Sequence, residues 1–177
     1  GRLKCDFTTR IEDINKEADL YILTVKDSVI EEVSASLNLE NKLVVHTSGA
    51  IEQNIIKHER RGVLYPLQTF SKEKTLNFKN IPFCIEASKS EDYNLLMRLA
   101  NLLSPMVYNI NSHQRKVLHV AAVFACNFSN YMYTISDEIL SNENIPLGIL
   151  HPLIKETASK ITTHKPKNVQ TGPASRK

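Results

Sequence analysis

The chain has 177 residues, 42% hydrophobic and 23% charged, enough for the core of one domain or of one domain with a helical appendage. A formal charge of +3 is too small to argue for nucleic acid, and the one basic cluster (Lys155, Lys160, Lys165, Lys167, Arg176, Lys177) reads as a solvated tail. Three widely spaced cysteines without a Cys-x-x-Cys argue against disulfides and zinc and fit a reducing cytoplasm, and the longest apolar run, Val120–Cys126, is far too short to span a membrane.

Lys4–Thr8 predicts a short strand. Thr9, with Glu12 three residues on, predicts a capping box heading a helix over Arg10–Ala18. Leu20–Val25 is a continuous apolar and β-branched run, the pattern of a strand buried on both faces. Asp27 or Ser28 then caps a helix over Val29–Leu37, where Val29, Ile30, Val33 and Leu37 recur at helical spacing. Leu43–His46 is the next strand, Ile51–Ile56 a short helix and Val63–Tyr65 a third strand. Ile81–Ala87 is a fourth, with Pro82 near its start, where it costs no central ladder bond. Ser90 opens a helix through Leu103 with a stripe of Leu95, Leu96, Leu99 and Leu102/Leu103, and Met106–Ile110 is a last short strand. This alternation predicts an α/β fold, a parallel doubly wound sheet with right-handed crossovers.

The pattern changes at Asn111, so residues 1–110 are expected to form one domain and 111–177 a second, all-helical one. Ser112–Leu140 contains no Gly or Pro and predicts a helix of about 40–45 Å. It is apolar nearly all round and is therefore expected to be buried on most sides. Pro146 suits the first turn of a further helix, Pro152 must kink or restart it, and Lys165–Lys177 reads as loop.

Three early apolar runs end in polar residues: Lys26-Asp27-Ser28, His46-Thr47-Ser48-Gly49 and Pro66-Leu67-Gln68-Thr69. Open α/β sheets bind ligands beyond the carboxyl ends of their strands, so three such ends point to one shared site. Each also has a plain reading. Asp27 or Ser28 can serve only as a cap, His46–Gly49 can be ordinary turn chemistry, and Gln68-Thr69 an ordinary strand exit. On the long helix, a step of about 100° per residue places Asn130 about 20°, Lys116 about 60° and Asn127 about 80° from His119. One polar stripe on an apolar rod needs partners: water, a polar surface or a ligand. Gln170-Thr171-Gly172-Pro173 is a turn that carries Arg176, a side chain suited to clamping a carboxylate and equally at home in solvent. There is no Gly-x-Ser-x-Gly, His-Glu-x-x-His or Walker loop, no metal site is expected, and Cys126 lies in the most apolar stretch, where a thiol is usually inert.

Taken in order, Asp19–Asp27, Val45–Ala50, Tyr65–Phe70, His119–Asn127 and Gln170–Arg176 resemble the bacterial Rossmann-like NADP oxidoreductases, distant relatives of pyrroline-carboxylate reductase and ketopantoate reductase. The resemblance implies a Rossmann domain followed by a helical domain of the 6-phosphogluconate dehydrogenase C-terminal type that often dimerises. It implies that Val25, Lys26 and Asp27 lie along NADP (NAD is the alternative) and that His46, Thr47 and Ser48 line its nicotinamide end. His119 and Asn127 would serve catalysis, while Gln68, Thr69, Asn130, Thr171 and Arg176 would contact a small keto- or imino-acid substrate. The sequence departs from the family in one respect: its five glycines, at 1, 49, 62, 148 and 172, cannot form a Gly-x-Gly-x-x-Gly turn. The expectation is a partial Rossmann-like sheet without its first βαβ unit, in a copy incomplete at both ends. A non-catalytic dinucleotide-sensing or dimerisation module is the competing reading, and a fragment that binds no cofactor the third.

Overall fold

Five short apolar runs form strands: β1 (Leu20–Leu23), β2 (Leu43–His46), β3 (Arg61–Pro66), β4 (Phe83–Ala87) and β5 (Val107–Asn109). The structure, a computed structural model, describes residues 5–175. The strands lie in one sheet in the order β1-β2-β3-β4-β5. The α/β, Rossmann-like fold is as expected, but the sheet is mixed rather than wholly parallel. β1–β2, β2–β3 and β4–β5 are parallel, and β3–β4 is antiparallel. The reason lies in the connection from Leu67 to Pro82, whose only regular element is a 3-10 turn at Phe78–Asn80. A parallel return needs a long crossover, usually a helix; without one the chain turns back antiparallel.

The pairing Leu23–His46–Val63–Glu86 crosses four strands and sets their faces. One face carries Leu43, Val45, Leu64, Phe83 and Ile85, covered by Leu96 and Ala100 of α2 (Ser90–Leu103). Leu96 is fully buried, so Leu96→Ala would cost about 2–5 kcal/mol. The acidic first turn of α2, Glu91 and Asp92, complements the positive end of the helix dipole. The other face is apolar at its β1–β2 side, where Leu23 and Val44 pack with Ile30 of α1 (Ile30–Ser36). Towards β3 and β4, under α3 (Ser112–Ala122), it is mixed: Val63, Tyr65 and Cys84 pack with Leu118, and beside them Glu86 pairs with Arg115.

Several local expectations are corrected. Cys5–Thr8 is not strand, Lys4 lies outside the described residues, and Arg10–Ala18 yields only a 3-10 turn at Ile11–Asp13. Neither Asp27 nor Ser28 caps α1 with its side chain; both sit in a 3-10 turn, Asp27–Val29, that leads into it. Ile51–Ile56 tightens to a 3-10 turn at Gln53–Ile55.

The chain divides into two compact units, Gly1–Ala121 and Ala122–Lys177. The long helix is continuous from Ser112 to Ser141, but Val123–Phe128 is a π-helical segment between α3 and α4 (Ser129–Ser141). Its predicted burial is not found: Val117, Val120, Phe124, Met132 and Ile139 are all more than half exposed. Apolar faces need a cover, and the described residues do not supply one. Pro152 stands in the first turn of α5 (His151–Thr163), where its missing N–H costs nothing, and α6 (Pro166–Val169) occupies part of the expected loop. Among the described residues, no helix is long and apolar enough to cross a membrane.

Candidate functional site

The parallel run of β1, β2 and β3 brings three polar strand ends to one edge of the sheet. At that edge Gly49, Tyr65 and His119 converge. A Cβ added to Gly49 would stand 2.6 Å from His119 Nδ1 and 2.7 Å from Tyr65 Cζ, so only glycine lets this loop lie against both rings. Tyr65 Oη lies 3.3 Å from His119 Nδ1, and the rings meet edge to face at 6.3 Å. Tyr65 is 9% exposed, and burial pushes its phenol above the ordinary tyrosine range. The Tyr65 ring packs with Val63, Cys84 and Leu118. Burial likewise raises the Cys84 thiol, which makes it a poor nucleophile.

His119 is held there by the way α3 begins. The side chain of Asn111 accepts the Gln114 N–H at 2.9 Å, and Gln114 Oε1 accepts the Asn111 N–H at 3.1 Å, a reciprocal cap. One turn in, Arg115 is completely buried. It pairs with Glu86 Oε2 at 2.7 Å and donates to the Ile51 carbonyl at 2.5 Å and to Ser112 Oγ at 3.2 Å. Ser112 Oγ donates to Glu86 Oε2 at 2.7 Å and accepts the Gln53 N–H at 3.2 Å. A buried ion pair thus ties α3 to β4 and to the loop after β2.

His46 is also wholly buried, with both ring nitrogens occupied. Nδ1 accepts the Ser48 N–H at 3.1 Å, which leaves the proton on Nε2, 3.3 Å from the Glu52 carbonyl. Burial, reinforced by the Arg115 charge, lowers this imidazole to about 4. His46 is therefore a neutral brace for the β2 loop, with no ring nitrogen to offer a ligand. Ser48 Oγ is similarly engaged, accepting the N–H groups of Ala50 and Ile51 at 3.1 Å each. Thr47, half-buried, reaches the Leu23 carbonyl at 3.4 Å. Val25, Lys26 and Asp27 are exposed just beyond β1. Gln68 and Thr69 are exposed beyond β3, with Gln68 Oε1 accepting the Thr69 N–H at 2.8 Å.

The remaining predicted residues belong to the second unit. Asn127, in the π-helical segment, and Asn130, in α4, are exposed. The constant 100° step that aligned them with His119 does not hold across Val123–Phe128, because a π turn holds more residues than an α turn. Thr171 is exposed beside Gly172, whose φ of 73° suits glycine, and Arg176 lies outside the described residues.

Sequence reasoning missed Tyr65, Glu86, Ser112 and Arg115 as site residues. Two of them were within reach, because the same helical step puts Ser112 and Arg115 within about 40° of His119. Glu86 and Tyr65 needed the strand register, which the sequence pattern does not specify.

Fit to a dinucleotide is divided. The exposed β1 exit and the half-buried Thr47 suit a cofactor lying along the strand ends. The pyrophosphate cradle is not among these residues. Gly49 is packed against two rings and Gly62 lies inside β3, so neither of these strand-end glycines forms a glycine turn at a helix N-terminus.

These features define an α/β Rossmann-like unit with a polar centre at its strand ends. The family described as a domain of unknown function, DUF2520, matches residues 81–177, more than half of the chain, and the chain belongs to that family. No curated protein matches it. Among solved structures, the chain is similar to a candidate NADP oxidoreductase from Bacteroides fragilis at 45% identity and a TM-score of 0.85, covering 94% of this chain and 66% of that one. It is similar to a protein from Thermotoga maritima at 29% identity and a TM-score of 0.77, covering 92% of this chain and 66% of that one. An imine reductase from Myxococcus stipitatus in complex with NADP+ shares the fold at 12% identity and a TM-score of 0.62, with coverage of 94% and 64%. The chain therefore spans slightly less than two thirds of the length of each of these structures.

Proposed function

We propose that this chain forms part of an NADP-dependent oxidoreductase acting on a small keto or imino acid. The observation that carries the reading is the convergence of Gly49, Tyr65 and His119 at the carboxyl edge of β2 and β3. The likeness to the Bacteroides fragilis protein supports it. When bound, a reduced nicotinamide supplies the hydride. This chain's residues supply placement and a proton. Val25, Lys26 and Asp27 border the cofactor at the β1 exit, and Thr47 borders its nicotinamide end, with His46 and Ser48 bracing that loop. His119 donates a hydrogen bond, and then a proton, to the substrate oxygen or nitrogen. Asn127 orients the substrate's polar group, and Arg176 holds its carboxylate. These two roles, and the contacts of Gln68, Thr69, Asn130 and Thr171, rest on motif order.

The test is NADPH binding by the natural full-length protein, followed by NADPH oxidation across a panel of 2-keto acids and cyclic imines. The reading predicts binding and turnover with at least one member. Tight binding with no oxidation across the panel would replace it with a dinucleotide-sensing module.

Homodimerisation through the helical unit is part of the same proposal. It is supported by the exposed Phe124, Phe128, Tyr131, Met132, Ile139 and Leu153. Light scattering should give twice the chain mass, and a monomer at high concentration would contradict it.

A further inference from the structure

We propose that Tyr65 is a positioning residue for His119. Its phenol donates to Nδ1 and thereby fixes the neutral imidazole as the Nε2–H tautomer, which the site presents to an incoming acceptor atom. The inference deepens the reading above and rests on it for its catalytic consequence, although not for its structural content. The geometry begins with one contact, Tyr65 Oη to His119 Nδ1 at 3.3 Å. Either group could in principle donate. A phenol is the stronger donor and its oxygen a weak acceptor, whereas an unprotonated imidazole nitrogen is a strong acceptor, so the proton belongs to Tyr65. With Nδ1 accepting, the neutral ring carries its own proton on Nε2.

Nε2 is available. Among the described residues no protein group takes it, and it is not one of the buried unpartnered atoms. His119 therefore contrasts with His46, whose Nδ1 also accepts but whose Nε2 is spent on the Glu52 carbonyl. Two histidines at one sheet edge carry the same tautomer, one closed and one open.

The packing makes the arrangement rigid. Tyr65 is held among Val63, Cys84 and Leu118, and Gly49 closes over both rings with no room for a methyl group. In the reaction, the hydride supplied by a bound reduced nicotinamide would leave with the electron pair of its C–H bond and form the substrate's new C–H bond, while the C=O or C=N π pair moves to the heteroatom. That atom would take the proton from His119 Nε2 as the Tyr65 hydroxyl proton passes to Nδ1, so that the ring stays neutral and the Tyr65 oxygen is reprotonated from solvent.

The experiment reads the tautomer directly, by long-range nitrogen–proton NMR of this chain labelled at its histidine rings, without cofactor or substrate. The expected result is a neutral His119 protonated on Nε2, with the Tyr65 hydroxyl proton correlated to Nδ1. A neutral His119 protonated on Nδ1 would overturn the proposal. In the full-length protein, Tyr65→Phe should lower kcat about tenfold while NADPH affinity stays within twofold, and Tyr65→Phe/His119→Gln should be no slower than His119→Gln alone. Fully multiplicative losses would overturn the positioning role. If the tautomer is as stated but wild-type protein turns over nothing, the oxidoreductase reading fails and the assignment of the pair stands.

Discussion

Replacing Gly49 by alanine adds one methyl group at the point where the β2 loop meets Tyr65 and His119. Gly49 is not in the left-handed region, so the backbone accepts alanine without strain. In open space such a change would stabilise by about 0.4–1 kcal/mol through the unfolded chain. Here the methyl would stand 2.6 Å from Nδ1 and 2.7 Å from Cζ, against a tyrosine ring that is itself buried. Overpacking of this kind costs about 1–3 kcal/mol. The net expectation is a loss of about 1–2 kcal/mol, together with displacement of His119 from Tyr65. Gly148→Ala is the matched control, because its nearest contact is His151 Cε1 at 4.0 Å, and it should be neutral or slightly stabilising. Urea titrations followed by circular dichroism, with NMR of the His119 ring, measure both effects. A Gly49→Ala protein as stable as wild type, with an unchanged His119 ring signal, would refute the packing argument.

Three further predictions concern the polar layer beneath α3 and the helical unit. Glu86→Gln leaves the buried Arg115 charge uncompensated and should cost about 3–5 kcal/mol, whereas Glu86→Leu with Arg115→Met should recover most of it; equal losses in urea would contradict the buried-pair account. His46 has a depressed pKa, so between pH 6.5 and about 4 the unfolded chain binds its proton first and stability falls as pH falls. Stability curves of wild type and His46→Asn should diverge by about 3 kcal/mol over that window, and parallel curves would show that His46 is not buried neutral. Phe124→Ser with Phe128→Ser should shift the proposed dimer to monomer in light scattering, and an unchanged mass would place the interface elsewhere.

The sequence was most legible where a single period governs an element. The helix Ser90–Leu103 follows its leucine stripe to the residue, and the buried strand β2 follows an unbroken apolar run. It was least legible where partners decide. The direction of β4 depends on a connection without a crossover helix, a sign present in the sequence but outweighed by the alternation around it. The π-helical turn at Val123–Phe128 leaves no mark in composition, and it broke the angular argument for Asn127 and Asn130. His46 and Ser48 had the residue types of a ligand site, yet the fold spends their polar atoms on the loop itself. Of the predicted catalytic pair, His119 stands beside Tyr65 at the strand ends, a partner that only strand register brings within reach.

The most direct test of the account is the single-turnover rate of NADPH oxidation by the natural full-length protein, wild type against His119→Gln, with the best substrate from the panel. A positioned general acid contributes about 100-fold to 10,000-fold. The account predicts that His119→Gln slows the step by about 100-fold or more while NADPH affinity stays within twofold. An unchanged rate would remove His119, and with it the reaction centre at Gly49 and Tyr65, from the chemistry.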